Sequence, residues 1–411
     1  MTQSIEGQAV TIARHDLPVL AILSTLLGFA SISTDLYLPA MPAMGQALHA
    51  SAGAIALTVS GYLIGFSLGQ LFWGPIGDRY GRRIPVAIGL VLFIIGAAGC
   101  ALSGNVWEMI FWRVVQALGA CAGVVLARAM VRDLYEGHRA AQMLSTLMTV
   151  MAIAPLLGPI AGGQILLLAS WRAIFWVLVG VGVLTLAAML YLPETLPVER
   201  RNYEKLSNAA ARYVMLLRQR RVIGYAGAAA FFYAGSFAYI AGTPFIYIDY
   251  YHVSPQAYGL LFGIGIIGIM ITNMLNARLV MRFGGVRLLR AGTGVAALAG
   301  LVLAFDARTG WGGLAGIVAP IFIFASCMGF IVANSIAGAL AAYPERAGAV
   351  SALAGALQYG AGVAGPAVAG AFADGTPWPM GWVMALSGLG CVLCAWLVVP
   401  SQAATQVAAV R

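Results

Sequence analysis

Apolar residues fill the chain in long runs that are separated by short polar turns. A helix that crosses a lipid bilayer needs about 20 mostly apolar residues. The pattern predicts an all-α membrane protein with twelve transmembrane helices, near residues 17–38, 52–75, 84–103, 106–131, 140–168, 173–192, 222–243, 257–280, 288–305, 313–340, 348–372 and 381–400. Runs longer than the minimum fit helices that tilt or extend beyond the bilayer.

The composition supports this prediction and excludes a soluble protein. Only 9% of the 411 residues are charged and 61% are hydrophobic, whereas soluble domains carry about 25% charged residues. The net charge of +9 is spread over short loops, so we expect no nucleic-acid partner. We reject a cleaved signal peptide for the first run, because the preceding segment is long and carries acids and because removal of one helix would spoil the even helix count.

Alternate turns differ in their arginine content, and this predicts the direction of the helices. With a cytoplasmic N-terminus, the outside segments hold only Arg172 and Arg308, whereas the inside segments hold most of the other arginines. Because positively charged loops stay in the cytoplasm, we expect both termini there.

One polar stretch, residues 193–221, divides the chain into a six-helix bundle at 1–192 and a second at 222–411. This linker is expected to be partly helical, with its basic side against anionic membrane lipid.

The two halves resemble each other in sequence. Arg139, Gly158 and Pro159 have counterparts 207 positions later in Arg346, Gly365 and Pro366. Equal helix direction in both copies indicates parallel repeats related by an axis along the membrane normal. Two such bundles leave a central cavity that opens to either side when the halves rock.

Several motifs resemble those of one transporter family. "GPIGDRYGRR" at 74–83 resembles the signature loop of the major facilitator superfamily, and "FWRVVQALGA" at 111–120 its fourth-helix arginine motif. "APLLGPIAGG" at 154–163 resembles the fifth-helix motif of drug/proton antiporters. With "STDLYLPAMP" at 33–42 and "ARAMVRDLY" at 127–135, the chain resembles the bicyclomycin/chloramphenicol-resistance subfamily.

The resemblance implies proton-coupled efflux of amphiphilic drugs by alternating access. The expected location is a bacterial inner membrane. Protons would be the coupling ion, with no cofactor, and the protein would act as a monomer.

The resemblance also implies a cytoplasmic gate in the signature loop. Asp78 is expected to join the halves when the cavity faces outward, with Arg128 or Arg132 as its partner. The alternative is that the loop arginines only fix topology. The gate set is Gly77, Asp78, Arg79, Gly81, Arg82, Arg83, Arg128 and Arg132.

The fifth-helix motif combines a proline with small residues. A proline kinks a helix, and small residues let helix backbones approach closely. We expect Gly158, Pro159, Gly162 and Gly163 to shape the contact between the halves, although plain helix packing is an alternative.

Two charged residues lie inside predicted helices. Arg113 is about six residues inside the fourth helix, where a charge costs about 2.5–3.5 kcal/mol, so it must face the bundle interior, water or a partner. Asp35 lies in the outer part of the first helix, deeper than any other acid. We interpret it as a protonatable cavity acid that exchanges its proton for substrate; an interfacial carboxylate is the alternative. The sequence leaves open whether the two residues touch.

Aromatic and amide side chains are candidates for the wall of the substrate cavity. Few fixed charges and many aromatics suggest amphiphilic, neutral or cationic substrates, although aromatics also fill helix interfaces. The candidates are Tyr37, Gln116, Tyr233, Phe237, Tyr239, Asn273, Asn334 and Gln358.

Other functions are less well supported by the sequence. The chain has no P-loop for binding ATP. The stretch "GIGIIG" at 263–268 fits a dinucleotide-binding pattern but lies inside a lipid-spanning run. Cys391 and Cys394 fit buried apolar residues better than a metal site. An exporter of a metabolite, sugar or peptide is the first alternative. An integral-membrane transferase would need a catalytic loop or an acid, histidine or metal cluster that the sequence lacks, and a channel fits the duplicated halves less well.

Overall fold

The computed structural model describes residues 2–135, 137–201, 206–343 and 346–399, and helices occupy the positions of all twelve predicted runs. The first half contains α1 Thr2–Asp35, α2 Met41–Ala47, α3 Ala52–Tyr80, α4 Arg83–Leu102, α5 Val106–Leu134, α6 Gly137–Leu168 and α7 Trp171–Ala188. The linker contains α8 Leu206–Leu217. The second half contains α9 Arg220–Pro244, α10 Pro255–Phe283, α11 Gly285–Thr309, α12 Gly313–Ser326, α13 Met328–Ala342, α14 Ala347–Ala371 and α15 Trp378–Leu393.

Ten helical segments among the described residues are long and apolar enough to cross a membrane. The other two predicted spans correspond to α6, whose apolar part is Ile153–Leu168, and to the Gly- and Ala-rich α14. The chain is therefore a multi-pass membrane protein.

Several spans are interrupted helices. The first, Pro18–Ala47, consists of α1, a 3₁₀ turn at Leu38–Ala40 and α2, so it extends well beyond the predicted end at residue 38. The span Gly313–Ala342 is divided at Cys327 into α12 and α13. After α9 the chain continues as a π-helix, Phe245–Tyr250.

The internal repeat is visible in the residues at which α3 and α10 begin and end. Ser51 and Ser254 are 203 positions apart, and each accepts a hydrogen bond from the backbone N–H three residues later at the start of its helix. Gly81 and Gly284, also 203 positions apart, follow these helices with φ of 90° and 80°. Glycine suits both turns because a side chain disfavours positive φ.

The two most extensive contacts between the halves are formed by helix pairs. On one side α3 packs against α14, and the Ser60 and Ser67 hydroxyls donate to the carbonyls of Val363 and Ala356 at 3.0 and 2.8 Å. On the other side α6 packs against α10. α3 and α10 are repeat counterparts, so the two contacts are related by the repeat.

The linker helix α8 is attached to both halves. The Tyr213 hydroxyl donates to the Leu71 carbonyl of α3 at 3.3 Å, Leu216 is fully buried, and α8 also contacts α14. α8 and Gly81 lie at one side of the membrane, which we call the linker side. The turn before α3 lies at the opposite side, which we call the far side. The linker is partly helical, as predicted, and residues 202–205 lie outside the described residues.

Gly365→Ala should destabilise the second half. A Cβ at Gly365 would collide with the Ala234 carbonyl of α9 and lie 3.0 Å from the Ala238 nitrogen, whereas Gly294 in α11 faces open space. Overpacking costs about 1–3 kcal/mol, so we expect Gly365→Ala to lower the melting temperature of the purified protein and Gly294→Ala to leave it unchanged or higher. Equal melting temperatures would contradict the proposed contact.

Candidate functional site

The first span is interrupted near its middle, and Asp35 lies at the interruption. α1 ends at Asp35 and a 3₁₀ turn follows, because Pro39 has no N–H to donate to the Asp35 carbonyl four residues earlier. Asp35 is 5% exposed, and the Thr34 hydroxyl lies 3.2 Å from its Oδ1 atom. The acid is therefore closer to the middle of the span than the sequence suggested, because the span continues beyond the bend.

Arg113 is enclosed between two tyrosine rings. The side chain is fully buried, and the guanidinium carbon lies 4.3 Å from the ring centroids of both Tyr37 and Tyr62. Nη1 donates to the Ser33 carbonyl at 2.9 Å and to Gln116 Oε1 at 2.7 Å. A desolvated cation–π contact contributes about 2 kcal/mol, so the rings replace part of the solvation that the buried charge loses.

The hydrogen bonds of this arginine are incomplete. Nε and Nη2 of Arg113 and Nε2 of Gln116 are buried without a partner in the described structure. Within the described residues no carboxylate lies within 4.0 Å of Arg113, so it forms no salt bridge with Asp35. The charge of Arg113 nevertheless acts on Asp35 electrostatically. The two groups thus interact at a distance, and neither is held by the other.

The fifth-helix motif packs directly against Asp35. A Cβ at Gly158 would lie 3.0 Å from Asp35 Cβ, and one at Gly162 would collide with the Leu36 carbonyl and contact Pro39. α6 therefore needs these glycines to approach the bend in the first span.

The next residues of the same motif contact the second half. Gly163 accepts a hydrogen bond from Gln256 Nε2 at 3.3 Å, and a Cβ at Gly259 would lie 3.0 Å from the Pro159 carbonyl carbon. These contacts join α6 to the far-side end of α10. One short motif therefore supports the acid and joins the halves on the far side.

An aromatic cluster crosses from one half to the other. Tyr359 of α14 lies 4.4 Å from Phe66 of α3, 5.5 Å from Tyr233 and 6.2 Å from Phe237, measured between ring centroids. Phe66 also contacts Tyr62, one of the rings on Arg113. The cluster therefore links the arginine site to α9 and α14.

The remaining cavity candidates have separate environments. Tyr37 and Gln116 are fully buried against Arg113 and do not line open space. Asn334 donates to Asn276 Oδ1 at 2.7 Å, which joins α13 to α10 inside the second half. Tyr239 is 6% exposed beside Phe262, Asn273 is exposed, and Gln358 is 4% exposed with its Nε2 unpaired in the described structure.

The signature loop is held by a network centred on Arg82. Its Nη1 donates to Asp78 at 2.6 Å and its Nε to Asp133 at 2.8 Å. Asp78 is therefore paired within its own half in this structure, and neither Arg128 nor Arg132 forms a salt bridge among the described residues.

The other predicted gate residues support this turn. A Cβ at Gly77 would meet Leu126, and Arg83 donates to the Leu190 carbonyl at 3.3 Å. The guanidinium of Arg79 lies over the neighbouring Tyr80 ring, and Gly81 is the turn with positive φ.

Glu194, which no sequence motif singles out, stabilises this loop through its carboxylate. Its carboxylate accepts from the backbone N–H groups of Arg82, Leu196 and Arg83 at 2.8, 3.0 and 3.1 Å. Burial alone would raise the pKa of Glu194, but these donors and the charge of Arg201 lower the pKa below its ordinary value of 4.5. An acid directly after a span, near an arginine-rich turn, was the available signal in the sequence.

A cleft of about 250 Å³ opens on the far side between the ends of α3, α9 and α14. Its walls are mainly small and apolar residues, and Asp249 is the acid among its lining residues. No group of three or more His, Cys, Asp or Glu side chains that could hold a metal is found in the described part of the chain.

Comparison with known proteins decides the family. The model of the Major Facilitator Superfamily matches residues 23–246 and again 225–410. The chain belongs to the major facilitator superfamily. Each half gives its own match, in agreement with the internal repeat.

Named relatives confirm the resemblance to the resistance subfamily. The chain is 39% identical to an uncharacterized MFS-type transporter, YdgK, of Bacillus subtilis, over 82% of this chain and 85% of that protein. It is 32% identical to the bicyclomycin resistance protein homolog of Haemophilus influenzae (84% and 85% covered) and 30% identical to the chloramphenicol resistance protein of Pseudomonas aeruginosa (81% and 78% covered).

A solved transporter shows the same fold. The xylose transporter XylE from E. coli, in a partially occluded inward open conformation, superposes with a TM-score of 0.69 at 17% identity, covering 94% of this chain and 98% of XylE. By its family, the protein described here is a membrane transporter.

Tyr62→Leu should destabilise this transporter more than Tyr62→Phe. Leucine removes one of the two rings on Arg113, at a cost of about 2 kcal/mol, whereas phenylalanine keeps the ring and loses only a hydroxyl 3.5 Å from the Ala30 carbonyl. Thermal unfolding of the purified variants measures the difference. Equal melting temperatures for the two variants would show that the ring does not stabilise the guanidinium.

Glu194→Gln should lower the melting temperature at pH 7 by about 2 °C or more. Because the folded-state pKa of Glu194 is lowered, its contribution is full above pH 4.5 and is lost as the pH falls through the folded pKa. The difference from wild type should therefore shrink below pH 4.5. Glu199→Gln, at an exposed position five residues on, is the control. A pH-independent difference would assign Glu194 a role without charge.

Proposed function

We propose that this protein exports amphiphilic drugs or similar small molecules from the bacterial cytoplasm in exchange for protons. The observation that carries this proposal is a buried carboxylate, Asp35, at a helix interruption, near a buried arginine but outside salt-bridge distance. Interrupted transmembrane helices near the midplane are typical of substrate and ion sites in transporters. The resistance functions named for the relatives agree with export.

The exchange follows from competition for one carboxylate. A buried, ionised carboxylate is costly, so it recruits either a proton or the polar part of a substrate. Binding of a proton from outside the cell releases the substrate, and loss of that proton to the cytoplasm restores the substrate site. Inward movement of a proton yields about 2.3 kcal/mol per 100 mV, which supplies the free energy for uphill export.

The alternating movement would be a rocking of residues 1–192 against 222–411, linked by 193–221. In this proposal the linker side faces the cytoplasm and the far side faces out, as the arginine distribution indicates. Gly158, Pro159, Gly162 and Gly163 join α6 to Asp35 and to α10, so a change at Asp35 is transmitted to the far-side contact. The protein would act as a monomer surrounded by lipid.

Asp35→Asn should abolish efflux that is driven by a pH gradient. The amide keeps the shape of the side chain but cannot exchange a proton near neutral pH. Everted vesicles with an imposed pH gradient and a panel of antibiotics and dyes measure the loss, and immunoblotting checks membrane insertion. Asp374→Asn is the matched control, because this acid lies in a far-side loop and accepts hydrogen bonds from Thr376. Normal gradient-driven efflux by Asp35→Asn would overturn the coupling assignment.

A further inference from the structure

The far-side cleft of about 250 Å³ has walls from both halves of the protein. The start of α3 contributes Ala52 and Gly53, and the end of α14 with the residues after it contributes Gly370 and Ala373. A Cβ at Gly53 would collide with the Gly370 carbonyl, so the two helix backbones touch at this point. The cleft is therefore a gap beside a direct contact between the halves.

Asp249 is the only charged residue that lines this cleft in the described structure. It is exposed, and its side chain forms no hydrogen bond with the described residues. No arginine, lysine or histidine of the described chain, including the nearby His252, lies within 4.0 Å of its carboxylate. A cleft that carries one sign of charge between apolar walls concentrates ligands of the opposite charge. The cleft therefore favours a cation.

The lining of the cleft changes from polar to apolar with depth. Asp249, Tyr250 and Thr376 are exposed at the far-side end of the protein. Gly242 of α9 and Ala369 of α14 line the cleft further inside these helices and are partly buried. The ring of Tyr250, next to the acid, can also face a cation. This gradient matches a ligand with a charged head and an apolar body.

We propose that the far-side cleft binds small amphiphilic cations, with the ammonium group beside Asp249 and the apolar body between α3, α9 and α14. Neither Asp35 nor Arg113 lines this cleft, so the site is separate from the proposed exchange and does not depend on it. An occupant would contact both halves at once, since Ala52 belongs to the first half and Ala373 to the second.

The test compares 4-butylbenzylamine, which is a cation at pH 7, with the neutral 4-butylbenzyl alcohol, which has nearly the same size. Calorimetry with the purified full chain in phosphatidylcholine nanodiscs, corrected for empty nanodiscs, measures both affinities. Wild type should bind the amine about five-fold more tightly, which corresponds to the 1 kcal/mol of a solvent-exposed ion pair. Asp249→Asn should abolish this preference, and about 1 M NaCl should reduce it because salt screens exposed charges.

Two substitutions test the walls of the cleft. Ala52→Phe and Ala373→Phe place a ring in the cleft from the first and the second half, both at exposed positions. Each should weaken the binding of both probes about 10-fold or more, the range for losing the burial of one large apolar group. Ala47→Phe and Ala371→Phe are the matched controls, because these alanines are exposed on the far side and do not line the cleft. Equal losses in the controls would contradict the proposed walls.

Three other results would overturn the site. Equal affinities of wild type for the two probes, or an unchanged preference in Asp249→Asn, would show that Asp249 does not bind the ammonium group. An equal loss of preference in Glu108→Gln, an exposed far-side acid outside the cleft lining, would indicate a general effect of surface charge. A loss in Asp35→Asn with none in Asp249→Asn would place the amine at Asp35.

The test stays decisive if a variant fails to fold. If one wall variant does not fold, the other wall variant and Asp249→Asn decide the question. Binding is measured without a gradient, so failure of this site and failure of proton-coupled export in the Asp35→Asn efflux assay give different results.

Discussion

A guanidinium inside a lipid-spanning bundle must be compensated by the protein itself, and Arg113 imposes this requirement on the first half. Its compensation draws on three spans: the Ser33 carbonyl and Tyr37 ring from the first, the Tyr62 ring from α3, and Gln116 one turn along α5. None of these groups is an anion. The carboxylate of Asp35 is thus left out of the arginine's enclosure, as the proposed exchange of a proton for substrate requires.

The bend in the first span and the glycines of α6 are two parts of one arrangement. Pro39 and Pro42 lie in the first turns of new helical segments after Asp35, and the Leu36 carbonyl between them and α1 faces α6. Only small residues on α6 let it approach this irregular backbone. A transmembrane segment with exposed carbonyl groups is tolerated only where other protein groups cover them, and α6 provides that cover.

The sequence predicted the features that depend on periodicity and charge. The twelve helices follow from the lengths of the apolar runs, and the repeat follows from matched positions in the two halves. The burial of Arg113 follows from the cost of a charge in lipid. The position of Asp35 was predicted less well, because a hydropathy pattern does not show that a span continues after a bend. Tyr62 and Glu194 were missed because their roles depend on which helix lies beside them. Asn334 was expected to line the cavity, but its amide joins two helices of the second half. Composition alone does not distinguish an amide that lines a cavity from one that joins two helices.

The two copies of the repeat have the same types of residue where their helices begin and end, but they differ in their charged residues. Ser51 and Ser254 start α3 and α10, and Gly81 and Gly284 follow them, whereas α9 carries no acid and α12 and α13 carry no charged residue. Asp35 and Arg113 of the first half therefore have no charged counterpart on α9, α12 or α13 beyond the arginines at the start of α9. Under the proposed function, substitutions among the rings of α9 and α14 would alter which compounds are exported and would leave Asp35 and Arg113 unchanged. Such an arrangement would let a lineage acquire new resistances through few inherited changes.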